Sequence, residues 1–220
     1  MNRRMIYLPL VIVVLIVGSL AWNLTARAAY ETAEYRVVES DGAIEIREYP
    51  DLILASTPMR EGSQGNDGSF MRLFRYISGA NEAEQKVAMT TPVFMEGAGT
   101  EAEGQMGFVL PKEVANRGAP QPLGTEVRLR RREGGRFAVI RFSGRADKKT
   151  LGQAERRLRD WIEAKGLATT GSTESAGYDP PWTPGLLRRN ELLIRIQAAE
   201  RSAEPPAAES PVAESPAADG

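Results

Sequence analysis

Residues 127–166 read VRLRRREGGRFAVIRFSGRADKKTLGQAERRLRDWIEAKG, and their period changes part-way along. Val127–Arg132 and Arg136–Gly144 carry apolar residues in strand-like runs on either side of Glu133-Gly134-Gly135, which predicts a hairpin. From Lys148 the spacing becomes helical. Leu151, Ala154, Leu158, Trp161 and Ile162 fall on one stripe, while Arg156, Arg157, Asp160 and Glu163 fall on the other side. Asp147 is placed to cap this helix and Gly166 to stop it, and Glu155 with Arg159 makes a favourable i,i+4 pair. A Gly/Pro-rich loop, 169–185, then leads to a last strand, Glu191–Ile196.

The first half follows the same plan. Tyr35–Glu39 and Ala43–Tyr49 flank Asp41-Gly42, a hairpin signal, and Leu52–Met59 continues as a third strand. After the loop Gly62–Gly68, Ser69–Ser78 reads as a short helix that Ser69 can cap and Gly79 can end. Phe70, Leu73, Phe74 and Ile77 share its apolar face. Met89–Met95 and Gln105–Leu110 read as strands. Two halves of hairpin, helix and strand predict an α+β domain with internal pseudo-twofold symmetry, its sheets curved around the helices.

Two segments lie outside this body. An uncharged run from Met5 to Ala26 follows Arg3 and Arg4, and its apolar part, Ile6 to Trp22, is about the ~17-residue lower limit for a bilayer-spanning helix. Ala26-Arg27-Ala28 also resembles a signal-cleavage site. Residues 1–28 are therefore a membrane anchor or a cleaved signal. Both readings retain the two arginines in the cytoplasm and export the body to the periplasm or cell exterior. Residues 198–220 repeat Ala-Glu-Ser-Pro and have almost no large apolar side chain, the composition of a disordered tail.

Composition narrows the chemistry. The 28 Lys+Arg and 29 Asp+Glu nearly cancel, and the body 29–197 is balanced as well, which argues against nucleic acid as a partner. With no His and no Cys, Ser–His and Cys–His mechanisms, disulfides, thiolate sites and His-ligated metal are excluded. Carboxylate, Lys or Tyr chemistry remains, or binding without catalysis. Glu45, Glu48 and Glu191 are the carboxylates of interest; the arginines 128, 130, 131, 132 and 136 read as a solvated strand face.

Seven stretches of the body, GAIEIREYP (42–50), RYISGAN (75–81), KVAMTTPV (86–93), GFVLP (107–111), RFAVIRFSG (136–144), GYDPP (177–181) and RRNELLI (188–194), resemble in their order the SOUL/haem-binding protein family. The resemblance implies a distorted antiparallel barrel of two repeats. It also implies a tetrapyrrole (haem or a related ring) held as a non-catalytic ligand in an apolar cleft beside the first helix. The fold it implies also looks like the effector-binding domains of some bacterial regulators. One branch of the family ligates haem through a His, which this chain lacks; the other uses apolar contacts and cationic side chains. In that second branch a Lys matches Arg75, and a second Lys falls near Thr183. Phe70, Met71, Phe74 and Trp182 are of the type that walls a porphyrin cleft, with Arg72, Arg75 and Tyr76 expected at its rim. Tyr76 and Met71 are the expected iron ligands if any side chain binds the metal. The expected function is a non-enzymatic haem or porphyrin binder of the cell envelope. The alternatives are a carboxylate-dependent hydrolase using a cleft Glu with a Tyr, or a structural envelope module with a vestigial cleft.

Deleting 198–220 is expected to leave the melting temperature and ligand affinity unchanged. A fall of several degrees in a thermal melt would show that the tail packs on the body.

Overall fold

A computed structural model describes residues 30–60, 67–97, 104–180 and 183–197. The anchor-or-signal segment, the tail and Trp182 lie outside the described residues. The described chain is α+β, with eleven strands, three α-helices and one 3-10 turn.

The first repeat contributes β3 (Ile44–Tyr49), β4 (Leu52–Met59), helix α1 (Ser69–Ile77), β6 (Val93–Glu96) and β7 (Gly104–Val109). The second contributes β8 (Arg128–Arg132), β9 (Gly135–Ser143), helix α3 (Lys148–Ala164), β10 (Glu174–Gly177) and β11 (Arg189–Arg195). Between the repeats lies a short helix, α2 (Lys112–Arg117). With β2 (Arg36–Asp41), these strands form one nine-stranded sheet in the order β2-β3-β9-β11-β10-β6-β7-β4-β8. The order is its own mirror about the β6–β10 junction once β2 is set aside. Each repeat exchanges its first strand: β3 pairs β9 of the second repeat, and β8 pairs β4 of the first. The two halves predicted from the sequence are therefore interlocked.

Two expectations are corrected here. The Glu133-Gly134-Gly135 turn does not close a hairpin, because β8 and β9 diverge to opposite halves of the sheet. Gly134 is required by the crossing: a Cβ there would stand 2.4 Å from the Tyr49 carbonyl oxygen. Nor does the sheet close into a barrel among the described residues, since β2 and β8 remain at its two edges.

Strand alternation sorts the apolar side chains into three layers. Leu54, Phe94 and Val109 from one half meet Phe137, Val139 and Leu193 from the other inside the curled sheet. Their strand neighbours point outward. Ala55, Met106 and Phe108 pack under Leu73, Tyr76 and Ile77 of α1. Ala138, Ile140, Leu192 and Ile194 pack under Ala154, Leu158 and Ile162 of α3. Asp147 caps α3 as expected, its carboxylate accepting from the Thr150 N–H at 2.8 Å. At α1 the cap differs. Gly68, at φ 86°, is the N-cap, and Asp67 rather than Ser69 supplies the acceptor, to the Ser69 N–H at 3.1 Å.

A separate pair, β1 (Glu31–Thr32) with β5 (Thr90–Thr91), runs parallel and draws the chain around Tyr30 alongside Met89 and Thr91. Fully buried Leu158 is the centre of the α3 contact, so Leu158→Ala is expected to destabilise the domain by about 2–5 kcal/mol in denaturant unfolding. A loss below about 0.5 kcal/mol, the ordinary surface value, would place α3 off the sheet.

Candidate functional site

Helix α1 is too short to bury all of its apolar side chains. At about 100° per residue, Leu73, Tyr76 and Ile77 turn to the sheet and are buried, whereas Phe70, Met71 and Phe74 occupy the next arc. Phe70 stacks on Phe74 with ring centroids 6.2 Å apart and 12° between planes, and meets Phe108 edge-on at 5.2 Å. Phe74 remains 43% and Met71 53% exposed.

This arc is one wall of a cleft of about 180 Å³. Met89, Thr91 and Val93, around β5 and β6, form the floor. The chain leaving β10, Gly177 to Pro180, forms the opposite wall, and Tyr30 closes one side. The lining is apolar except for Thr91, two phenols and Asp179, whose carboxylate accepts from the Arg189 N–H at 2.6 Å.

The Tyr178 wall is held from behind. Its hydroxyl donates to Glu191 Oε2 at 2.7 Å. Glu191 is wholly buried and also accepts from Arg47, at 2.7 and 3.0 Å on its two oxygens, and from Arg189 at 2.6 Å. The Arg47 and Arg189 guanidiniums lie over the Tyr35 and Tyr178 rings at 4.2 and 4.1 Å. Burial alone would push the Glu191 carboxyl up. The hydrogen bonds and charges of Arg47 and Arg189 outweigh it and hold Glu191 below the usual carboxylate range. Burial and the adjacent carboxylate push the Tyr178 phenol far above its ordinary value.

The structure therefore divides the residues expected at the site. Phe70, Met71 and Phe74 line the cleft. Tyr76 does not: it is 1% exposed, its hydroxyl donates to the Pro120 carbonyl at 2.8 Å, and burial raises its pKa to about 12. Its position on the helix, facing the sheet, takes it out of this cleft, and it lines the second cleft instead. Arg72 and Arg75 line a second cleft of about 250 Å³, with Leu123 and Glu126. Arg72 is engaged there by Thr57 Oγ1 at 2.9 Å and the Pro58 carbonyl at 2.6 Å. Arg75 is exposed and stands on the helix between Met71 and Arg72, so it separates the two clefts.

Met89, Tyr178 and Tyr30 complete the apolar cleft but were missed in the sequence. Met89 and Tyr178 belong to the quoted MTTP and GYDPP stretches; only the pairing of β1 with β5 reveals Tyr30. The arginine series is corrected too. Arg132 is 3% exposed, lies 4.4 Å from both the Phe94 and Phe137 rings, and pairs with Glu174 at 2.7 Å. Burial, stronger than the effect of Arg132, pushes the Glu174 carboxyl up. Arg189 and Asn190 anchor the start of β11, Arg189 donating to Glu191 at 2.6 Å and Asn190 to the Gly144 carbonyl at 2.8 Å.

The comparisons with known proteins agree with this architecture. The family model described as SOUL heme-binding protein matches residues 30–195. Heme-binding protein 1 of Xenopus tropicalis is 27% identical over 162 residues, covering 70% of this chain and 84% of the relative. Among solved structures, the EcmrR C-terminal domain superposes with a TM-score of 0.52 at 13% identity, covering 74% of this chain and 98% of that one. A hydrolase from Listeria innocua gives 0.51 at 13% identity, covering 73% and 94%. At these identities the last two show the fold alone.

Glu191→Gln is expected to destabilise the protein by about 3–5 kcal/mol, because it strips the charge partner from the buried Arg47 fork, which keeps only Glu45 on its Nε at 2.6 Å, and from Arg189. Glu191 binds a proton less readily folded than unfolded. Its contribution is therefore complete above the unfolded value of about 4.3 and is lost as pH falls through the lower folded value. Denaturant unfolding across the acid range should lose part of its pH slope in Glu191→Gln; an unchanged slope would mean that Glu191 is not held as a paired carboxylate.

Proposed function

The chain belongs to the SOUL haem-binding protein family, and from that premise we propose that it is a non-enzymatic tetrapyrrole binder of the cell envelope, holding its ligand in the cleft between α1 and the β10 end without a His ligand. The carrying observation is the cleft: stacked Phe70 and Phe74, with Met71, facing Met89, Val93 and Tyr178. Flat apolar walls with few polar groups suit a flat amphiphilic ring. The volume of about 180 Å³ is below the ~300–1,000 Å³ of pockets that enclose a drug-sized ligand. A macrocycle therefore inserts one edge and lies over the exposed Met71 and Phe74. Its carboxylates then point out of the cleft toward Arg75, whose planar guanidinium can donate two hydrogen bonds to one of them.

Two thioethers, Met71 and Met89, line the cleft, whereas Tyr76 is committed to Pro120. Among the described residues, no group of three or more acids converges to hold a metal. The ring is held mainly by contact area. We assign residues 1–28 to an uncleaved anchor that keeps the exported body at the membrane.

The geometry supports binding over hydrolysis. A carboxylate acting as general base must be free to take a proton. Glu191 is sequestered behind Tyr178 and saturated by two guanidiniums.

Titration of the full chain in detergent with haem and with metal-free protoporphyrin tests the reading. The two should bind within about tenfold of one another, ~1.4 kcal/mol. Phe74→Asp should weaken both sharply. Arg75→Glu should weaken both by at least the ~1.5–3 kcal/mol of a charge-assisted contact. Equal affinity in wild type and Phe74→Asp would remove the ring from this cleft. A thousandfold preference for haem would make the iron, and hence Met71 or Met89, the principal anchor.

A further inference from the structure

Among the described residues, Asp179 is the single charged side chain that lines the cleft beside α1, and no Lys or Arg joins it there. Arg72 and Arg75 line the second cleft, while Arg47 and Arg189, behind Tyr178, are paired with Glu191. The Asp179 carboxylate accepts from the Arg189 main-chain N–H at 2.6 Å. That donor is neutral, so the bond positions the carboxylate without cancelling its charge. The backbone beside it is fixed as well: the Tyr178 N–H donates to the Arg189 carbonyl at 3.2 Å, which ties this wall to the start of β11. A carboxylate on the wall of an apolar cleft favours a cation there and disfavours a second anion.

The other walls share this preference. Tyr30, Phe70, Phe74 and Tyr178 bring four aromatic rings to the lining. The face of such a ring attracts a cation, most strongly where water is displaced. Phe70 and Phe74 are nearly parallel, at 12°, and Phe74 is 43% exposed, so a flat group can lie on them. Size selects further. A cleft of about 180 Å³ is too small to enclose a macrocycle but suits a compact fused-ring molecule. Volume, aromatic walls and the one charge therefore converge on a single ligand class.

We infer that the cleft also takes compact aromatic cations, which lie between the aromatic walls with Asp179 as their counter-charge and compete there with the tetrapyrrole. The inference stands apart from the tetrapyrrole reading and shares only its cleft.

N-Methylacridinium and acridine have nearly the same shape, but at mildly alkaline pH only the first is charged. Fluorescence titration of the full chain in non-ionic detergent measures both. The cation should bind at least about tenfold more tightly than acridine, and added salt should narrow the gap. Asp179→Asn keeps an oxygen that can accept the Arg189 N–H. It should remove most of the gap while leaving acridine affinity unchanged. Zinc protoporphyrin should displace the bound cation. Equal affinity for the two probes in the wild type would overturn the inference, and so would an undiminished gap in Asp179→Asn. Should Asp179→Asn lose acridine as well, through loss of the fold, the wild-type gap and its salt dependence still decide. A cation held through Asp179 that zinc protoporphyrin does not displace would support the inference and count against the tetrapyrrole reading. Protoporphyrin binding without any preference for the cation would do the reverse.

Discussion

Glu191 is a full negative charge with no access to water, and such a charge is tolerated only where fixed donors replace its hydration. Here those donors come from both repeats. Arg47 reaches from β3 with a bidentate fork, Arg189 from the start of β11, and Tyr178 from the end of β10. Arg47 arrives only because β3 pairs with β9 rather than staying in its own half. The strand exchange and the ion cluster thus require each other. The cluster fixes the back of Tyr178, and the front of Tyr178 is a wall of the cleft. A preformed wall spares the ligand the cost of ordering it. The same saturation leaves this buried carboxylate no free lone pair for acid–base chemistry.

Helix α1 supplies the other wall through a shortage of surface to pack on. Nine residues give two turns and a half, and the sheet beneath takes Leu73, Tyr76 and Ile77. What remains is an aromatic arc with Phe108 behind it and the open cleft in front. Under the proposed reading, this exposed aromatic area is the surface that a flat amphiphilic ring would cover, its polar edge staying outside.

Much of this was legible in the sequence, element by element. Helix α3 announced itself through its stripe, its Asp147 cap and Gly166, and the structure keeps all three. β4 falls at Leu52–Met59, where the sequence placed it. The repeat was legible because each half has its own helical stripe. The exchange of strands was not, since alternation in β3 and β8 records that one face is buried but not which neighbour lies beside it. β10 reads Glu-Ser-Ala-Gly and carries no apolar period; its place at the centre of the sheet depends on partners β6 and β11 on both sides. Arg132 looked solvated because charge usually is; its burial depends on Glu174 and on rings distant in sequence. At the site, Phe70, Met71 and Phe74 were readable from residue type and spacing, whereas separating Arg75 from Tyr76 needed the angle of α1 on the sheet.

The central claim is that the ring sits against α1 and Tyr178. Amide chemical-shift mapping of the isotopically labelled full chain in detergent micelles, with zinc protoporphyrin as the ligand, tests it most directly. The account predicts that the largest changes fall on residues 70–74, on Met89 and on 177–180, with the α3 amides undisturbed. Changes centred instead on Arg72, Leu123 and Glu126, the second cleft, would contradict it.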